Sequence, residues 1–255
     1  MTEQSIALQF TSVSFSYPAL QVLEDVSFHF HTGEFIALVG PNGSGKTTLL
    51  KLILGLEQPQ SGTISLLGQS PKKSSSLIGY VPQHASYDPT FPITVEEVVR
   101  MGLVESVKRG QRKQELQQAL WALQQVELAH LASRPYSDLS GGQRRRVLVA
   151  RALCAKPSML ILDEPAANMD KESERRLYAT LANLKGETTI LIVTHDMRQV
   201  SDLTDRVFCI DAHKEDRVGR TVVQHVLEDY EDGTKRVRHD VQLSGDQCRK
   251  EALNG

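Results

Sequence analysis

The sequence predicts an α/β protein in three parts. These are a core with a mostly parallel sheet, an antiparallel β subdomain ahead of it, and a helical subdomain inserted within it. Three observations carry this. Short apolar runs such as Phe35–Val39, Met159–Leu162 and Thr189–Val193 each lead into polar or glycine-rich residues, the pattern of buried parallel strands. Two stretches near the N-terminus alternate apolar and polar residues with a period of two, the mark of half-buried antiparallel strands. Between the second and third groups of strands, residues from about Phe91 to Ala155 read as helices inside an otherwise β/α pattern.

The first alternating stretch sets Val13, Phe15 and Tyr17 against Ser12, Ser14 and Ser16, and Pro18 ends it. Tyr17, at the end of that strand, is either a core tyrosine or an aromatic placed to stack on a base. The second sets Val26, Phe28 and Phe30 against Ser27, His29 and His31, with Thr32-Gly33 turning into the strand Phe35–Val39. Next comes Gly40-Pro41-Asn42-Gly43-Ser44-Gly45-Lys46-Thr47, followed by Thr48 and a helical run to Leu56. Strand, G-x-x-x-x-G-K-[ST] and helix is the phosphate-binding loop in its required context. The glycines let backbone N–H groups turn inward, the helix N-terminus adds positive potential, Lys46 reaches the β- and γ-phosphates, and the Thr47 hydroxyl ligates Mg²⁺. The core is therefore expected to be of the P-loop NTPase type, binding a nucleotide.

Thr63–Leu66 and Ile78–Val81 read as further strands separated by a Lys/Ser-rich loop from Lys72 to Ser76. Gln83 follows the second of them, at a carboxyl end where ligands sit in open α/β sheets. Thr94-Val95-Glu96-Glu97 is a capping box opening a helix through Met101, and Leu116, Leu120 and Leu123 mark the apolar face of a second helix. Pro135 breaks the chain before Ser140-Gly141-Gly142-Gln143, itself a capping box and, with two glycines at a helix tip, a candidate anion site. Arg144, Arg145 and Arg146 are consecutive, so they spread around that helix and are expected to be solvated or ion-paired, with no role in nucleic-acid binding.

Ser158 to Pro165 is an apolar strand ending in Asp163 and Glu164. Opposite a phosphate loop, Asp163 is suited to hold Mg²⁺ and Glu164 to orient and deprotonate a water. Asp170 caps a helix carrying Leu177, Leu181 and Leu184, with Gly186 as its stop. Thr189–Val193 ends in Thr194-His195-Asp196, which makes His195 a candidate γ-phosphate contact. Arg206–Ile210 reads as the last core strand. Beyond it the chain turns charged: residues 222–227 form at most one short element and the rest of 212–255 reads as a poorly packed tail. The expected division is 1–90 with 156–211 as the nucleotide-binding core and β subdomain, 91–155 as the helical subdomain, and 212–255 as the tail.

Composition narrows the class. At 255 residues with a formal net charge of -2, the chain can bury a large core and offers no electrostatic reason to bind nucleic acid. No apolar run approaches the roughly 18 residues that cross a bilayer, and Met1–Ser5 lacks the features of a secretory signal, so a soluble chain is expected. Cys154, Cys209 and Cys248 form no C-x-x-C pair and read as free thiols in a reducing compartment.

Taken together, residues from about Ile6 to Ile210 resemble the ATP-binding subunit of ABC transporters, with Leu139-Ser140-Gly141-Gly142-Gln143 identical to the family signature. The resemblance implies that Tyr17 stacks on adenine and that Gly40, Pro41, Asn42, Gly43, Ser44, Gly45, Lys46, Thr47 and Thr48 hold the phosphates. It implies that Gln83 senses Mg²⁺ and the attacking water and faces a membrane partner. Ser140, Gly141, Gly142 and Gln143 are then expected at the nucleotide of a second copy in a head-to-tail dimer, with Asp170 at the dimer interface. Asp163 would hold Mg²⁺, Glu164 would be the general base, and His195 would bond the γ-phosphate. The Pro165–Asp170 segment departs from the common form but keeps its Pro and Asp.

The resemblance further implies ATP and Mg²⁺ as cofactors, and an integral-membrane permease as partner. It places the chain peripherally on the cytoplasmic face of the membrane, with an extracytoplasmic substrate-binding protein as an indirect partner. The segment Gln83 to Val95, with Val98-Val99-Arg100-Met101-Gly102, looks like the metal-ion import branch (zinc, manganese or iron), ahead of iron-chelate or cobalamin import. Two other classes compete: a soluble non-transport ABC ATPase, favoured by tandem cassettes where only one is present, and an inactive regulatory subunit, disfavoured by Lys46, Asp163, Glu164 and His195. His213, His225 and His239 have no compact ligand spacing and are expected to be solvated.

Overall fold

A computed structural model describes residues 5–18, 20–103, 112–195, 202–211, 219–229 and 235–243. Contacts divide the chain into two compact units, Met1–Ser75 with Leu191–Gly255, and Ser76–Ile190.

In the first unit, strand β1 (Ile6–Tyr17) pairs antiparallel with β2 (Leu20–His31) on one side and β4 (Ser61–Leu66) on the other. The alternation seen in the sequence has a direct cause: Phe10, Val13 and Phe15 of β1 and Val26, Phe28 and Phe30 of β2 point to one buried face. Strand β3 (Phe35–Val39) lies parallel to β8 (Arg206–Asp211). Phe208 of β8 joins the aromatic face of the antiparallel sheet, with ring centroids 5.4 Å from Phe28 and 5.1 Å from Phe30, while Phe10 stacks on Phe28 at 4.6 Å. Burial of such rings stabilises the fold by roughly 1.5–3 kcal/mol each, so this cluster welds the two sheets of the unit. Helix α1 (Lys46–Ile53) follows β3 through the glycine loop.

The expectation of a loose tail after residue 211 is corrected. Strand β9 (Thr221–Asp229) pairs antiparallel with β8, and β10 (Lys235–Leu243) pairs antiparallel with β9. The reason lies in polar burial that hydropathy does not register. Arg206 is buried and stacked over Phe208, and it donates through Nη1 to the His29 carbonyl (2.8 Å) and through Nε to Gln224 Oε1 (3.2 Å). Gln224 and His225 are buried on β9 beside Val222, so a polar stretch packs because a buried guanidinium needs acceptors. His225 is thus buried, where the sequence suggested a solvated histidine.

In the second unit, β5 (Ile78–Val81) and β6 (Met159–Asp163) are parallel neighbours. Helices α2 (Val95–Arg100), α3 (Arg112–Gln125) and α4 (Gly141–Leu153) pack against one another, and α5 (Lys171–Leu184) follows β6. The Thr94–Glu97 capping box is formed in both directions. The apolar face of α3 differs from expectation. Ala119, Ala122, Leu123 and then Val126 are buried, whereas Leu120 is exposed. Their i, i+3, i+4, i+7 spacing makes a stripe whose small residues permit close helix approach, which counting leucines alone misses. Strand β7 (Thr189–Thr194), buried along its whole length, carries the chain from the second unit to the first.

Candidate active site

The first unit holds the phosphate loop. Residues 40–45 connect β3 to α1, and Gly45, at the N-cap of α1, is left-handed (φ 100°) with no side chain capping the helix. A helix N-terminus without its own cap presents N–H groups and positive potential to an anion. The loop has space for one: around Gly43, itself at φ 76°, no atom lies within 4 Å of where a Cβ would stand. Ser44 Oγ is buried and has no hydrogen-bond partner among the described residues. Such an orphaned hydroxyl is costly unless a ligand satisfies it, so the cradle fits a polyphosphate.

Lys46 is buried and folded over the loop, donating from Nζ to the carbonyls of Gly40 (2.6 Å) and Pro41 (2.9 Å). An ammonium resting on neutral carbonyls exchanges them favourably for phosphate oxygens. Thr48 is buried, while Pro41, Asn42, Gly43 and Thr47 are exposed. Tyr17 is half-buried, set edge-on to Phe15 at 5.0 Å, and its hydroxyl accepts from Lys51 Nζ (3.3 Å). His195, directly after β7, is exposed.

The second unit carries the acids and the signature helix. Gln83, exposed, follows β5 through Pro82; Asp163 ends β6 half-buried. Glu164 is buried and holds φ at 46°. Ser140 Oγ accepts from Gln143 N (3.2 Å), and Gln143 Oε1 accepts from Ser140 N (3.0 Å), completing the capping box. Gly141 is exposed with nothing near its missing side chain, but Gly142 is buried: a Cβ there would lie 2.2 Å from Ser173 Oγ and 3.3 Å from Asp170 Oδ2. The N-termini of α4 and α5 therefore meet, bringing Asp170 to the signature. Asp170 accepts from Ser173 N (2.9 Å), and its carboxyl is held below the usual range by side-chain and backbone hydrogen bonds from Ser173.

The expectation for the three arginines is overturned. Arg145 donates to five backbone carbonyls, those of Pro82, Gln83, Asp163, Glu164 and Pro165. Burial pushes its pKa down, opposed by the nearby Asp163 carboxylate. Arg146 is buried and donates to the Val126 carbonyl (2.9 Å). Arg144 donates to the Leu139 carbonyl (2.6 Å) and lies over the Tyr87 ring at 4.9 Å. The missed signal was helical geometry: three consecutive residues cover roughly 200° of a helix, so on a helix embedded in a core they cannot all face water. The structure thus brings Gln83, Asp163 and Glu164 onto one guanidinium through their main chains.

For the tail histidines, His213 and the side chain of His239 lie outside the described residues, as do Asp196 and Cys248. Among the described residues no group of three or more His, Cys, Asp or Glu side chains could hold a metal ion. Cys154 and Cys209 are buried, and burial pushes the Cys154 thiol up to about 11. No described helix is long and apolar enough to cross a membrane.

Comparison with known proteins agrees with this geometry. Residues 23–167 match the family described as ABC transporter. The zinc uptake system ATP-binding protein ZurA of Listeria innocua is 40% identical over 213 residues, covering 80% of this chain and 82% of its own length. The manganese transport system ATP-binding protein MntB of Bacillus subtilis is 39% identical over 211 residues, covering 81% of this chain and 84% of its own. A bacterial ABC transporter cassette solved as a dimer superposes with a TM-score of 0.70 at 27% identity, over 79% of this chain and 93% of that one. With a phosphate loop, a capped signature helix and a strand ending in paired acids in a chain so related, this protein belongs to the ABC transporter family, among its ATP-binding subunits.

Proposed function

We propose that this chain hydrolyses ATP to power import of a transition-metal ion, zinc or manganese foremost, through a separate membrane permease. The observation that carries the metal reading is the identity of about two residues in five, over four-fifths of the chain, with proteins named for zinc uptake and manganese transport.

Residues 40–48 bind the triphosphate, Lys46 trading its loop carbonyls for phosphate oxygens, and Tyr17 stacks on the adenine. Mg²⁺, when bound, neutralises phosphate charge. The Thr47 hydroxyl, the Asp163 carboxylate and the Gln83 amide would hold it, and these hard oxygen donors suit that ion. Glu164 accepts the proton of the attacking water, Gln83 orients that water, and His195 donates to the γ-phosphate. Ser140, Gly141, Gly142 and Gln143 offer a glycine-lined helix tip to the nucleotide of a second copy, with Asp170 beside it. ATP then favours the closed head-to-tail dimer by differential affinity, and hydrolysis releases it.

The permease is expected at a cleft of about 300 Å³ in the second unit, lined by Tyr87, Phe91, Ile93, Val98, Met101 and Tyr136. Phe91 and Met101 are more than half exposed there, at 59% and 51%, an apolar patch that a monomer would leave in water. Its occupant places the chain on the cytoplasmic face, with a substrate-binding protein reached through the permease. Uptake of zinc, manganese and iron by cells with and without this chain tests the reading. Loss of zinc or manganese uptake, restored by wild type and not by Lys46→Ala, is expected. Unchanged uptake of every divalent ion would overturn it.

A further inference from the structure

We infer that Arg145 is a positioning residue for ATP hydrolysis, setting the main chain on which Gln83, Asp163 and Glu164 are mounted; this rests on the ATPase reading above. A guanidinium has five N–H donors in a rigid plane, and here all five are spent on backbone oxygens. Nε donates to Pro165 (2.9 Å), Nη1 to Pro82 (2.7 Å) and Gln83 (3.0 Å), and Nη2 to Asp163 (3.0 Å) and Glu164 (2.8 Å). These carbonyls come from two separate segments, the residues after β5 and those at the end of β6. They are the segments that carry the proposed water and Mg²⁺ contacts. The fork acts as a template between them.

Two features set this apart from ordinary packing. Glu164 stands at φ 46°, where a residue with a side chain stays only when its surroundings over-determine it, and Arg145 grips the carbonyls on both sides of that residue as well as its own. Arg145 also lies on α4, whose first turn is the signature, so nucleotide capture and water activation share one rigid element. Lysine, with three donors on one atom, cannot span both segments, and methionine, of similar length, spans neither.

The test uses the purified full chain as wild type, Arg145→Met, Arg145→Lys and Lys46→Ala. Steady-state ATP hydrolysis, equilibrium binding of a fluorescent ATP analogue and thermal unfolding are measured on each. Arg145→Met is expected to lower kcat at least tenfold while half-saturating ATP stays within threefold, because the phosphate loop belongs to the other unit. Arg145→Lys is expected to fall between it and wild type. Arg145→Met turning over within twofold of wild type would overturn the inference, and so would kcat and nucleotide affinity falling together. Should Arg145→Met fail to fold, Arg145→Lys decides by the same criteria. A wild type that hydrolyses no more ATP than Lys46→Ala would overturn the ATPase reading itself, whereas a hydrolysing wild type beside an unaffected Arg145→Met overturns only the positioning role.

Discussion

Glu164 is buried and left-handed at the end of β6. That conformation costs a residue with a Cβ about 1–2 kcal/mol, and strain of this kind persists where geometry matters more than stability. Glu164→Gln keeps the shape and removes the proposed proton acceptor. It is expected to retain ATP binding and lose turnover by about 10²–10⁴-fold, measured as phosphate release under saturating ATP. Wild-type turnover would remove Glu164 from the reaction. At this scale the sequence was legible wherever local pattern sets placement, as for the loop 40–45 between β3 and α1 or Asp163 at the end of β6. It was illegible for Arg145 and Gln224, whose partners are carbonyls or side chains distant in the chain: a charged or polar letter looks the same whether it meets water or a buried acceptor.

The elements show where such partners act. The tips of α4 and α5 meet over Gly142, while Gly141 faces open space. Gly141→Ala should leave the melting temperature unchanged, and Gly142→Ala should lower stability by about 1–3 kcal/mol through overpacking against Ser173. Equal melting of the two variants would contradict the close approach. Strand β9 makes a second case. Gln224→Leu removes the acceptor of the Nε–H of the buried Arg206 guanidinium and is expected to destabilise the chain by roughly 1–3 kcal/mol in urea unfolding. A variant as stable as wild type would return residues 221–229 to the status of a loose tail. Capping boxes at Thr94 and Ser140 were readable because their partners are three residues apart. The face of α3 was not, because alanines that allow close packing carry little hydropathy of their own.

For the whole molecule, the order of strands and helices through β8 was legible because periodicity records burial, and the P-loop and signature because each is a local strand–turn–helix or cap. What one chain cannot contain is its twin. Among the described residues, exposed Gly141 at the signature tip meets nothing that would explain a glycine there, and a cassette of the same family has been solved as a dimer. In the mechanism proposed above, ATP is gripped by the phosphate loop of one copy and the signature helix of the other. Light scattering of Glu164→Gln with and without ATP, alone and combined with Ser140→Arg, tests it most directly. ATP is expected to double the mass of Glu164→Gln, and adding Ser140→Arg to keep the chain monomeric while it still binds nucleotide. ATP-driven dimers of the double variant, or a Glu164→Gln chain that stays monomeric at saturating ATP, would contradict it.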